Sequence, residues 1–206
     1  MKRILITVLA SASAFAFATS ANAATIFADV VLDFFDSGNG PLAGPYGGTF
    51  PSDPPDFPVP VSTSFAVDAD GTTFLSLPTD SFVTVGFTSG FVFDGAGNDL
   101  FIAEIGNQAE MADVFVSSDF GATFTLLGMA DGGTVTELDL GSIGFTGIVN
   151  AVKIVGLDNN GGSPGFDVAF VQGLEGSVVE TPEPGALGLF GLGLIGLGAA
   201  ARRRRA

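Results

Sequence analysis

Between Val61 and Val171 the chain is written in short apolar or alternating runs, and no ten-residue stretch carries an apolar stripe at helical spacing. The runs are Ser64 to Val67, Thr73 to Leu77, Ser81 to Thr88, Gly90 to Phe93 and Leu100 to Ile105. They continue with Asp113 to Ser117, Thr123 to Leu127, Thr134 to Leu140, Ala151 to Val155 and Phe166 to Val171. Between them stand Asp70-Gly71, Asp94-Gly95-Ala96-Gly97-Asn98, Asp131-Gly132-Gly133 and Asp158-Asn159-Asn160-Gly161-Gly162, residue types that reverse the backbone. Runs rich in Phe, Val, Ile and Thr at this spacing predict an all-β sandwich or barrel. One more strand is expected over Ala24 to Phe35, where Ile26, Ala28, Val30, Leu32 and Phe34 share a face. Glu104 to Met111 has room for one helical turn at most.

Ser37 to Pro60 breaks the pattern. Pro51, Pro54, Pro55, Pro58 and Pro60 remove backbone donors at a density that forbids a central strand or helix, so 37–60 is expected as a long surface loop. The body over 24–180 is then a single antiparallel β-sandwich, large enough for one core.

That core has to hold the fold alone, because the chain has no Cys and so no disulfide. It has no His either. The two absences remove the usual zinc sites and every Ser or Cys nucleophile that relies on His. A Ser–Lys dyad could draw only on Lys153, which sits in an apolar run. A glycosidase-like carboxylate pair is the remaining route to catalysis, and no two of the 22 acids are marked out as such a pair. The expectation is a protein without enzymatic activity.

The two ends of the chain read as targeting segments rather than fold. Lys2 and Arg3, the apolar stretch Ile4 to Ala18 and the small residues Ala21-Asn22-Ala23 describe a signal peptide over 1–23, with signal peptidase cutting between Ala23 and Ala24. The alternative, an uncleaved N-terminal anchor, fits poorly with so short an apolar core. All 22 acids fall between Ala24 and Pro184, whereas of the seven basic residues only Lys153 does, so the exported part carries 22 acids against one base, a net −21. Such a surface repels nucleic acid and anionic lipid and attracts cations, or simply keeps a Gly- and Phe-rich body in solution.

At the other end, Thr181-Pro182-Glu183-Pro184 is stiff, extended and unable to pair into a sheet. Gly185 to Ala201 follows without a polar side chain, long enough as a helix to cross a bilayer core, and Arg202, Arg203, Arg204 and Arg205 would stay on the cytoplasmic side. Its glycines form no Gly-x-x-x-Gly pair. Pro-Glu-Pro, apolar span and basic cluster in that order resemble the PEP-CTERM sorting signal of exported proteins of Gram-negative bacteria. The resemblance implies that Pro182, Glu183 and Pro184 are recognised by an exosortase, which removes the membrane segment. The alternative is a permanent single-pass anchor.

Within the body, FVFDGAGNDLFIAE (Phe91 to Glu104), DVFVSSDFGATFTLL (Asp113 to Leu127), the strand Ala151 to Val155 and Gly165-Phe166-Asp167 together resemble exported domains with a galactose-binding-like jelly roll. Such domains often carry a second acid two places after the Gly-Phe-Asp aspartate, where this chain has Ala169. Calcium takes six to eight oxygens from carboxylates, amides and carbonyls, which acidic Gly/Asn loops supply. Asp94, Asn98, Asp99 and Asp167 form the expected group, on turns converging at one end of the sandwich; ordinary turn chemistry is the competing account. Sugar binding, implied by the resemblance, would have to manage without Trp and with Tyr46 alone. Three readings follow. The first is an exported, non-enzymatic cell-surface or extracellular-matrix protein, briefly membrane-anchored and partnered by signal peptidase, exosortase and extracellular polysaccharide. The second is a calcium- or carbohydrate-binding surface module, and the third, remote, is a carboxylate-based hydrolase.

Overall fold

A computed structural model describes residues 25–51, 57–106, 110–133, 135–173 and 178–180. The expected signal peptide and the segment from 181 onward lie outside these residues. Among the described residues fifteen strands occur: β1 Ile26–Phe27, β2 Val30–Phe35, β3 Tyr46–Thr49, β4 Val59–Pro60, β5 Thr73–Leu77, β6 Phe82–Gly86, β7 Gly90–Phe93 and β8 Leu100–Glu104. Then come β9 Met111–Ser117, β10 Thr125–Asp131, β11 Val135–Leu138, β12 Ile148–Val149, β13 Ala151–Gly156, β14 Phe166–Gly173 and β15 Val178–Glu180.

The first sheet runs β11-β8-β14-β5-β3-β4, with β1 added to the far half of β14; the second runs β10-β9-β13-β6-β2. A small third sheet joins β12, β7 and β15. The chain changes sheet between β5 and β6, β8 and β9, β10 and β11, and β13 and β14, the crossing pattern of a jelly roll. Every strand pair is antiparallel. Alternation supplies the core. Leu75, Leu77, Ile102, Phe166 and Val168 of the first sheet meet Val83, Val85, Val114, Val116, Val152 and Ile154 of the second, all of them buried. Each such side chain contributes about 1.5–3 kcal/mol by leaving water. The expected all-β sandwich is present, with no α-helix among the described residues.

Three local expectations need correction. Ala24 to Phe35 is not one strand but two, in different sheets. The Ala28 amide donates to the Val171 carbonyl of the first sheet and the next amide, Asp29, donates to the Gly86 carbonyl of the second. Asp29 fixes the crossing by accepting from the Thr88 amide and hydroxyl at 2.8 and 2.7 Å. The proposed shared face is thereby broken: Ile26 and Ala28 are buried, whereas Leu32 is exposed. Ser64 to Val67 is not a strand either. It belongs to a 3₁₀ turn, Thr63–Val67, capped by the Ser62 hydroxyl accepting from the Ser64 amide at 3.2 Å. A second 3₁₀ turn, Leu140–Ile143, ends the Thr134 to Leu140 run early, with Asp139 as its cap.

The third correction concerns 37–60, which contains β3 and β4 as well as loop. The prolines still behave as expected, since Pro60 lies on an edge strand whose only partner is β3. Tyr46-Gly47-Gly48 gives little strand signal, yet all three residues are buried, because glycine lets β3 pass close to β5. A Cβ at Gly47 would collide with the Phe74 carbonyl oxygen. Gly47→Ala is therefore expected to cost about 2–3 kcal/mol of unfolding free energy by denaturant titration. An unchanged midpoint would mean that this segment is the free loop its prolines suggest.

Candidate functional site

At one end of the first sheet three strands bring acids and hydroxyls together. β8 ends on Glu104, β14 begins Phe166-Asp167, and register sets Asp167 opposite Ser76 of β5 and Val168 opposite Glu104. Leu75, Leu77, Phe166 and Val168 fill the core, so alternation turns Phe74, Ser76 and Asp167 the other way. Glu110 enters just before β9. Oxygens of Glu104, Glu110 and Asp167 all lie within 4.8 Å of one another, and the three side chains are only 9%, 1% and 6% exposed.

The partners of these carboxylates are few. The Ser76 hydroxyl donates to Asp167 Oδ1 and lies 2.7 Å from the Ser163 hydroxyl; the Gly133 amide donates to Glu104 Oε2. Glu104 Oε1 and Glu110 Oε2 are buried with no donor among the described residues. A proton shared between the two glutamates would satisfy one of them, and nothing basic is at hand among the described residues. Lys153, the only Lys or Arg among the described residues, is on β13 of the second sheet with Nζ 3.7 Å from the centre of the Phe82 ring. Glu110 and Asp167 line a cleft of about 210 Å³, together with Phe50, Phe57, Phe74, Ile105 and Ser163, and Glu104 lies behind them. Phe57 and Phe74 meet edge to face at 6.0 Å.

Burial without a counter-charge shifts all three groups in one direction. Asp167 is pushed up to about 8, first by loss of water, with the Ser76 hydrogen bond opposing and the Glu104 charge adding. Glu110 rises to about 9, again from burial first and then from the charges of Asp167 and Glu104. Glu104 is raised by burial, partly offset by the Gly133 amide. Tyr46, whose hydroxyl donates to the Pro164 carbonyl, is also raised, by burial and then by Asp167. Fully buried, Tyr46 offers no face for stacking a ligand.

The structure divides the expected group Asp94, Asn98, Asp99 and Asp167. Asp94 and Asp99 do meet, joined by Asp139, within 4.8 Å. Asp99 Oδ1 accepts from the Gly95 amide at 2.9 Å and Oδ2 from the Leu140 amide at 2.8 Å, while Asp139 accepts from Gly141 at 2.7 Å. Asn98 turns away, its amide donating to Glu137 Oε2 at 2.8 Å. Asp167 is not part of this end. Leu100 pairs with Gly173 and Glu104 with Val168, so β8 holds Asp99 and the Asp167 end apart, about 16 Å at ordinary strand rise. The turns in question lie at opposite ends of an antiparallel ladder. Glu104, Glu110 and Asp139 were not singled out beforehand. Strand parity does not reveal them: Glu104 shares parity with the core residues Leu100 and Ile102, yet its carboxylate meets that of Asp167.

Comparison with known proteins finds the PEP-CTERM protein-sorting motif at residues 180–205, where the Pro-Glu-Pro, apolar and basic segments were read. No curated protein matches the chain. Among solved structures, CBM32-1 from a family 31 glycoside hydrolase of Clostridium perfringens is 16% identical, covering 66% of this chain and 97% of that one, with a TM-score of 0.42. The CBM32 of AlyQ, in complex with 4,5-unsaturated mannuronic acid, is 12% identical over 69% of this chain and 98% of that one, at 0.40. The C-terminal domain of a chitobiase from Bacteroides fragilis is 12% identical over 72% and 100%, at 0.43. These are likenesses of chain path, and no ligand is carried over from them.

The buried acids make a prediction about pH. In the folded state they keep protons that free carboxyls, with pKa near 4, have already lost. Stability from this source is complete below about pH 4 and is lost as pH rises through the folded values of about 8 for Asp167 and about 9 for Glu110. In chelator, the melting temperature is expected to fall between about pH 5 and 9, and less steeply in Glu110→Gln. A wild-type profile no steeper than that of the variant would contradict the assignment.

Proposed function

We propose that the protein is an exported, non-enzymatic component of the cell surface or extracellular matrix, trimmed at its C-terminal segment by an exosortase-type enzyme. One observation carries this reading: the sorting motif begins at residue 180, and Glu180 is the last residue of β15, paired with Gly90. The folded body thus hands over directly to the segment that a sorting enzyme would grip. Pro182, Glu183 and Pro184 follow at once in the sequence. The apolar stretch 185–201 and Arg202 to Arg205 would hold it in the membrane until cleavage. Among the described residues no helix is long and apolar enough to cross a membrane.

The chemistry of the body fits a passenger rather than a catalyst. Without His or Cys, and with Lys153 resting on Phe82, it lacks the usual nucleophile–base pairs. The intact mass of the exported protein from its native host is expected to place its C-terminus close to Pro184. Replacing Pro182, Glu183 and Pro184 by alanine is expected to leave the chain full-length and membrane-bound. A mature surface form that still carries Arg202 to Arg205 would overturn the reading in favour of a permanent anchor.

A further inference from the structure

Three buried carboxylates that converge, two of them on the wall of a cleft, pose a problem that sorting does not solve. Glu104 and Glu110 are each more than nine-tenths buried, and each keeps one buried oxygen that finds no donor among the described residues. An unpartnered buried carboxylate is costly, and here two adjoin a third with no lysine or arginine beside them among the described residues. We infer that Glu104, Glu110 and Asp167 form a binding site for one calcium ion at the end of the first sheet, beneath the Phe50, Phe57 and Phe74 wall.

The spacing suits a shared ion. Oxygens that ligate one calcium at 2.3–2.6 Å are at most about 5 Å apart, and those of the three acids lie within 4.8 Å of one another. The ligand set decides the metal. Only oxygen is available, from three carboxylates with the Ser163 hydroxyl in the same cleft, and that excludes the soft-metal preferences of sulfur or imidazole sites. Magnesium gives up water reluctantly and demands regular octahedral geometry, whereas calcium accepts six to eight oxygens at uneven angles. The cleft leaves room for water to complete the set. The Asp94, Asp99 and Asp139 group is the weaker candidate, because backbone amides already occupy both oxygens of Asp99. The inference is independent of the sorting reading and holds for the processed and the unprocessed chain alike.

Tyr46 gives the site a built-in reporter. It is the only tyrosine in a chain without tryptophan, and its hydroxyl feels the charges of Asp167 and Glu110. The test uses the exported protein purified from its host, stripped with chelator and titrated with terbium as a calcium probe. Excitation in the tyrosine band is expected to give terbium emission that saturates at one ion per chain. Excess calcium should displace the signal, and magnesium should not. Glu110→Gln and Glu104→Gln are expected to cut the emission at least tenfold, whereas Asp139→Asn should keep it. Wild-type protein needs no folded variant for a second reading: millimolar calcium should raise its melting temperature. Absence of both sensitised emission and a calcium-dependent melting shift would overturn the inference and leave a cluster neutralised by protons alone. Emission lost in Asp139→Asn but kept in Glu110→Gln would overturn it in favour of the other acidic group, and equal displacement by magnesium would overturn the choice of calcium.

Discussion

The layer of Val, Ile, Leu and Phe between the two sheets is the constraint on which the remaining features depend. No covalent bridge shares its task, since the chain has no Cys. Val83, Val85, Val152 and Ile154 on one side and Leu75, Leu77, Phe166 and Val168 on the other belong to the apolar layer that ties the sheets together. Their strict alternation turns every intervening side chain outward or toward an end. Asp167 and Ser76 face away from the core because Phe166, Val168, Leu75 and Leu77 face into it. The acidic cleft is therefore a by-product of the same register that makes the core.

Much of this was legible from local pattern. Apolar runs bounded by Gly, Asp and Asn marked β5 to β9, β13 and β14 with small errors at their ends, because period-two burial and turn chemistry are both local. What local pattern hides is the sheet to which a strand belongs. Ala28 and Asp29 are neighbours in sequence, and one bonds to each sheet; no property of the two side chains announces it. Gly47 and Gly48 were unreadable for a related reason. Their burial reflects a close approach by β5, a long-range fact, while composition says only that glycine is flexible.

The candidate site was less legible than the fold. Asp94 and Asp99 share a loop, so their nearness could be read directly. Asp167 could be assigned to the wrong partners because its true neighbours, Glu104 and Glu110, reach it only through the β8–β14 ladder and the approach to β9. Turn-forming acids and site-forming acids use the same residue types. Their hydrogen bonds separate them here: Asp99 is satisfied by two backbone amides, whereas Glu104 and Glu110 each keep an oxygen that no amide among the described residues reaches. The C-terminal segment was the easiest feature to recognise, since its order of proline, apolar and basic residues is linear and needs no fold.

The position of Lys153 over the Phe82 ring has a wider consequence. The only cationic side chain between Ala24 and Pro184 is spent on an aromatic face rather than on an acid. The ionised acids then have no lysine or arginine counter-ion among the described residues, and their mutual repulsion must be relieved by whatever the surrounding fluid provides. Dissolved cations become in that sense a constituent of the folded body, so that its compactness is shared between the polypeptide and the ionic make-up of its habitat. A protein destined for the outside of a cell carries in this way a standing dependence on the salinity into which it is released.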